Sequence, residues 1–141
     1  MNLQVKLFAD GADKDGMLEM YANPRISGFT TNPTLMKAAG VGNYKSFAHE
    51  ILAQINDKPI SFEVFSDEID EMEAQALEIS SWGSNANVKI PISNTKGQST
   101  VDLIGRLSRQ GVVCNVTAIF TIKQLKSVLN VLDNNLANNI I

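Results

Sequence analysis

The chain has 141 residues, 44% hydrophobic and 19% charged, with a formal charge of −3. That is enough for about one domain with a substantial core. It is too apolar for disorder and lacks the basic footprint that nucleic acid or an anionic membrane would need.

From the N-terminus, Leu3 to Ala9 is a short apolar run, and Asp13 can cap a following helix that carries Met17, Met20 and Tyr21. Ile26 to Thr30 is the second strand-like run. A longer helix follows, with Tyr44, Phe47, Ile51 and Ile55 at spacings of three and four. Pro59 to Phe65 is the third run, and Ser66 or Asp67 opens a helix with Ile69, Met72, Ala76 and Ile79. Asn87 to Ile92 is the fourth, and Ser99 or Thr100 opens a helix with Leu103, Ile104 and Leu107, closed by Gly111. Val112 to Phe120 is the fifth, and Thr121 precedes Ile122, Leu125, Val128, Leu129 and Leu132. Strand and helix alternate with no hairpin signal, so the expected architecture is α/β with parallel strands and right-handed crossovers. No linker or low-complexity stretch divides the chain, and one domain over residues 1–141 is expected. No apolar stretch nears the roughly 18 residues of a membrane span, and no signal-peptide h-region opens the chain. Cys114 and His49 are the only residues of their kinds, so no disulfide or zinc framework is expected. Cys114 reads as a small buried hydrophobe, His49 as surface or packing, and the setting as cytoplasmic.

An open doubly wound sheet normally carries a glycine-rich phosphate turn, and Gly11, Gly16 and Gly28 do not form one. A closed barrel fits better, because each unit brings a polar residue to its strand. Asp10 ends the first strand, and Thr30, Thr31 and Asn32 end the second. Glu63 lies in the third and Lys89 in the fourth; Asn115 and Thr117 share one face of the fifth. Glu63 to Lys89 and Lys89 to Asn115 are both 26 residues, one βα unit, so a barrel sets the three side by side with Asp10 across the interior. Lys89 stands in an otherwise apolar run, where desolvation favours the neutral amine that attacks carbonyls. A buried ion pair with Glu63 or Asp10 is the structural alternative. As a core device that pair would be costly, so the grouping points to function.

At these residues the chain resembles the transaldolase family of Schiff-base (β/α)8 enzymes. The matching stretches are Phe8-Ala9-Asp10, Gly28 to Leu35, Ser61-Phe62-Glu63-Val64, Val88-Lys89-Ile90-Pro91 and Cys114 to Phe120, in family order. The compact subgroup that includes fructose-6-phosphate aldolases is the most similar. The resemblance implies an imine-forming Lys89, an acid/base Asp10, and Glu63 with Thr117 holding a catalytic water. Asn32, Thr30 and Asn115 would hold the dihydroxyacetone part of the substrate. It further implies transfer of that unit from sedoheptulose 7-phosphate to glyceraldehyde 3-phosphate in the pentose phosphate pathway, without metal or cofactor, by a homo-oligomer. Aldolases of the subgroup usually carry glutamine where Glu63 stands, so the carboxylate resembles a true transaldolase.

Eight units of about 26 residues need about 210 residues, so the expectation here is a TIM barrel (β/α)8 stopped after about five βα units. Asn138 to Ile141 resembles the start of a sixth strand, and the family's phosphate-binding serine and arginine would follow it. Arg106 and Arg109 lie on a predicted helix and read as solvated. A truncated chain with little turnover of phosphorylated sugars is therefore expected. The alternatives are an aldolase without phosphate selectivity and a non-catalytic half-barrel that serves assembly.

Overall fold

A computed structural model of the chain describes residues 5–133 and 139–141. Five parallel strands, β1 (Leu7–Asp10), β2 (Ile26–Thr30), β3 (Ile60–Glu63), β4 (Ala86–Pro91) and β5 (Cys114–Thr117), pair in chain order. They form a curled half-barrel, as the uninterrupted β-α alternation requires. The helices are α1 (Lys14–Tyr21), α2 (Pro33–Ala38), α3 (Tyr44–Gln54), α4 (Ile69–Ser80), α5 (Val101–Arg109) and α6 (Ile122–Leu129). The expected start of the first strand at Leu3 lies outside the described residues, as does Asn138 of the expected sixth. Ile140 does pair with β5: its N–H donates to the Cys114 carbonyl and its carbonyl accepts from Val116 N–H, both at 2.9 Å.

Local chemistry sets most boundaries. Asp13 caps α1 by accepting from Gly16 N–H at 2.8 Å. Thr121 and Gln124 form a capping box at α6. After α5, Gly111 takes φ +84°, Gly111 N–H donates to Ser108 and Val112 N–H to Leu107, a Schellman turn that only a residue without a Cβ adopts cheaply.

The structure departs from the sequence pattern at several points. Neither Ser66 nor Asp67 caps α4, because both are engaged elsewhere. Ser66 Oγ donates to Glu71, and the Asp67 carboxylate accepts Thr95 N–H at 2.8 Å and Thr95 Oγ at 2.7 Å. The cap position falls to Glu68, with no side-chain bond. The third and fifth strands are shorter than their apolar runs. In the fifth, Ala118 takes φ +59° and turns the chain off the sheet. Helix α2 carries too few residues for a period to emerge, yet its punctuation is complete, with Asn32 as N-cap, Pro33 at the first position and Gly40 beyond its end.

The core lies between the outer face of the sheet and the helices. Phe29, Phe62, Val88, Ile90, Cys114 and Val116 point outward from the strands and are at most 3% exposed. They meet Phe47 and Ile51 of α3, Met72 and Ala76 of α4, and Leu103, Ile104 and Leu107 of α5 in one cluster. Burial pushes the Cys114 thiol up to about 12. The native chain should therefore stay unreactive toward an aromatic disulfide at pH 8 and release one equivalent of thiolate once denatured. Fast reaction of the native chain would contradict this burial.

Arg106 is not simply solvated. Its Nε and Nη2 donate to Glu73 of α4 at 3.1 and 2.7 Å, a two-point bridge between neighbouring helices. The guanidinium holds the Glu73 carboxyl below the usual glutamate range. The stabilisation is thus present above the unfolded glutamate value and is lost as pH falls through the depressed native one. Both side chains keep solvent contact, so Arg106→Leu should cost about 0.5–1 kcal/mol in urea melts at neutral pH and progressively less on acidification. A cost independent of pH would show that the aliphatic stem, not the ion pair, carries the effect.

Candidate active site

Parallel pairing places residues in register on the same face. Glu63 lies opposite Lys89, and Lys89 opposite Asn115, so the equal 26-residue spacings translate into one lateral row on the inner face. Lys89 Nζ stands 3.8 Å from Glu63 Oε2, and the two side chains are 18% and 26% exposed. Of the two carboxylates proposed as its ion partner, Glu63 is the one it meets. The contact is long and partly wet, so as a stabilising device it is weak. The lysine is nonetheless held in a partly buried position beside a proton-accepting group.

Asp10 occupies a second row. It pairs in register with Thr30, and Thr30 with Ser61. Ser61 precedes Glu63 by two residues, about 7 Å along the strand. Strands β2 and β3 thus separate Asp10 from the strand of Lys89. Thr30 Oγ donates to Asp10 Oδ1 at 2.7 Å, which aims the carboxylate and leaves its other oxygen to accept a proton. Thr117 lies two residues beyond Asn115 on the same face, partly buried, immediately before the left-handed Ala118. The Asn32 Oδ1 accepts Leu35 N–H at 2.9 Å as the α2 cap, so its Nδ2 is the end that remains for a ligand.

Two inner-face residues escaped the sequence reading. Ser61 is fully buried, and Asn115 Nδ2 donates to its Oγ at 3.0 Å, a side-chain bond that reaches over β4 and reflects the curl of the sheet. Asn87 is 2% exposed and lies two residues before Lys89. Both carry the period-two signal, since each stands two positions from a charged inner residue. What hid them is that Ser and Asn near a strand end read as turn residues.

The chemistry available to this face is nucleophilic and acid/base. An amine, two carboxylates, two threonine hydroxyls and two carboxamides can attack a carbonyl, carry protons and hold vicinal hydroxyls. Among the described residues, no group of three or more His, Cys, Asp and Glu side chains is placed to hold a metal ion.

Comparison with known proteins points the same way. The family model described as Transaldolase/Fructose-6-phosphate aldolase matches residues 7–140. A probable transaldolase of Dehalococcoides mccartyi is 34% identical over 120 residues, covering 85% of this chain and 54% of that protein. Probable transaldolases of Streptococcus agalactiae and of a Thermoanaerobacter species are 37% and 39% identical, each covering 85% of this chain and 53% of the relative. The chain spans about half the length of the curated relatives it matches.

Proposed function

This chain belongs to the transaldolase/fructose-6-phosphate aldolase family, and on that premise we propose that Lys89 is an imine-forming nucleophile for a ketose. The observation that carries the reading is the lateral row of Glu63, Lys89 and Asn115 on the inner face.

The Lys89 amine adds to the ketose carbonyl, and the carbinolamine loses water to give an iminium. Glu63 with Thr117 holds that water and moves its proton. Asp10, aimed by Thr30, takes the proton of the C4 hydroxyl as the C3–C4 bond breaks; the bonding electrons flow into the iminium, and an aldehyde departs. The resulting enamine adds to a second aldehyde, whose oxygen takes the proton back from Asp10, and hydrolysis frees the new ketose and the lysine. Asn115 and the Nδ2 of Asn32 hold the hydroxyls of the dihydroxyacetone unit, together with Thr30.

The substrates proposed are sugar phosphates, sedoheptulose 7-phosphate as donor and glyceraldehyde 3-phosphate as acceptor, in the cytoplasmic pentose phosphate pathway. The Glu63 carboxylate favours this transfer over simple aldol cleavage. Self-association belongs to the same reading, since Phe120 and Ile122 are 88% and 71% exposed where α6 begins. No helix among the described residues is long and apolar enough to cross a membrane.

Borohydride reduction in the presence of dihydroxyacetone, followed by peptide mass mapping, tests the central claim. The expected adduct is on Lys89. An adduct elsewhere, or none on a folded sample, would refute it. Coupled assay of the two sugar phosphates and size-exclusion chromatography then test the substrates and the assembly.

A further inference from the structure

The ladder between β2 and β3 runs out just below Glu63. Phe29 N–H donates to the Pro59 carbonyl at 2.8 Å, and Thr31 N–H to Ser61 at 3.1 Å. The next acceptor in this alternating series is the Glu63 carbonyl, and the next donor position is residue 33. That residue is Pro33, which has no N–H and already begins α2. Without another donor, a strand carbonyl at the edge of the core would be orphaned there.

Tyr44, the first residue of α3, donates its hydroxyl to this carbonyl at 3.0 Å. Its ring is held by Phe62, Phe65 and Trp82, at centroid distances of 6.1, 5.1 and 5.3 Å. Burial raises the phenol well above its ordinary range, so it stays a donor at any working pH. On the other edge of the strand, Val64 N–H donates to the Lys89 carbonyl at 3.1 Å. The end of β3 is thereby fastened on both sides.

We propose that Tyr44 is a positioning residue, whose hydroxyl replaces the ladder donor that Pro33 lacks and so holds Glu63 opposite Lys89. The inference deepens the proposed function and rests on Glu63 serving imine formation. Alternating ladder geometry, the proline and the buried phenol argue for it together. A ring needed only for packing could have been phenylalanine.

Tyr44→Phe keeps the ring and removes the donor. Amide exchange at Val64 should speed up about three- to tenfold relative to Val88, whose N–H donates to Val113 within the β4–β5 ladder. The rate of borohydride-trapped imine formation at Lys89 should fall by a similar factor. In a Glu63→Gln background, Tyr44→Phe should slow trapping no further, because one residue acts through the other. Equal acceleration at Val64 and Val88 would mean general destabilisation and overturn the proposal. Effects of Tyr44→Phe and Glu63→Gln that multiply would overturn it as well. If the unmodified chain traps no imine at all, the reading of Lys89 fails, and the Val64 exchange alone still decides whether Tyr44 fastens the strand.

Discussion

Lys89→Met should abolish borohydride-dependent attachment of dihydroxyacetone, while the far-ultraviolet circular dichroism of the chain stays unchanged. Methionine has a similar unbranched reach and fits the half-buried site, but it has no nucleophile. Loss of the cation opposite Glu63 should cost little stability, because their 3.8 Å contact is long and partly solvated. The decisive control is Lys96→Met, since Lys96 is exposed and paired with Glu68. Its adduct yield should equal that of the unmodified chain. Labelling that persists in Lys89→Met and disappears in Lys96→Met would move the reactive amine out of the half-barrel.

Phe62→Ala should be the most damaging single change to the fold. Phe62 is completely buried on the outer face of β3, edge-on to Tyr44 at 6.1 Å and to Trp82 at 5.6 Å. Removing such a ring costs about 3–5 kcal/mol through lost transfer energy and the cavity left behind. Domain stabilities are only about 5–15 kcal/mol, so most of the margin goes. Urea denaturation followed by tryptophan fluorescence would report it through the Trp82 neighbour. Phe65→Ala is the comparison: its ring is 57% exposed, and its loss should cost no more than about 1 kcal/mol. Similar costs for the two would mean that the aromatic cluster, rather than burial, dominates.

The two experiments probe opposite faces of neighbouring strands, and this division explains how much could be read from the residues. Alternation along β3 sends Ser61 and Glu63 inward and Ile60 and Phe62 outward. An outward apolar residue and an inward charged one are both visible in a linear pattern. Hence the strands, the parallel order and the row of Glu63, Lys89 and Asn115 were all legible. The constant 26-residue interval made the row a matter of counting. The cap of α4 was misread because Thr95, 28 residues beyond Asp67, claims its carboxylate. Helix α2 was missed because one and a half turns cannot establish a period.

The sequence alone determined the β-α alternation, the inward placement of Asp10, Thr30, Glu63, Lys89, Asn115 and Thr117, and the family resemblance. Each of these depends on residue type and spacing along one strand or one unit. Which carboxylate meets Lys89, and where Asp10 lies instead, follows from the folded sheet. The two-residue offset between rows sets that outcome, and it is not encoded in local spacing. The Ser61–Asn115 tie and the bond from Tyr44 to Glu63 belong to the same class. They join residues 54 and 19 positions apart. Hydrogen bonds of that reach exist only once the sheet has curled and the helices have packed behind it.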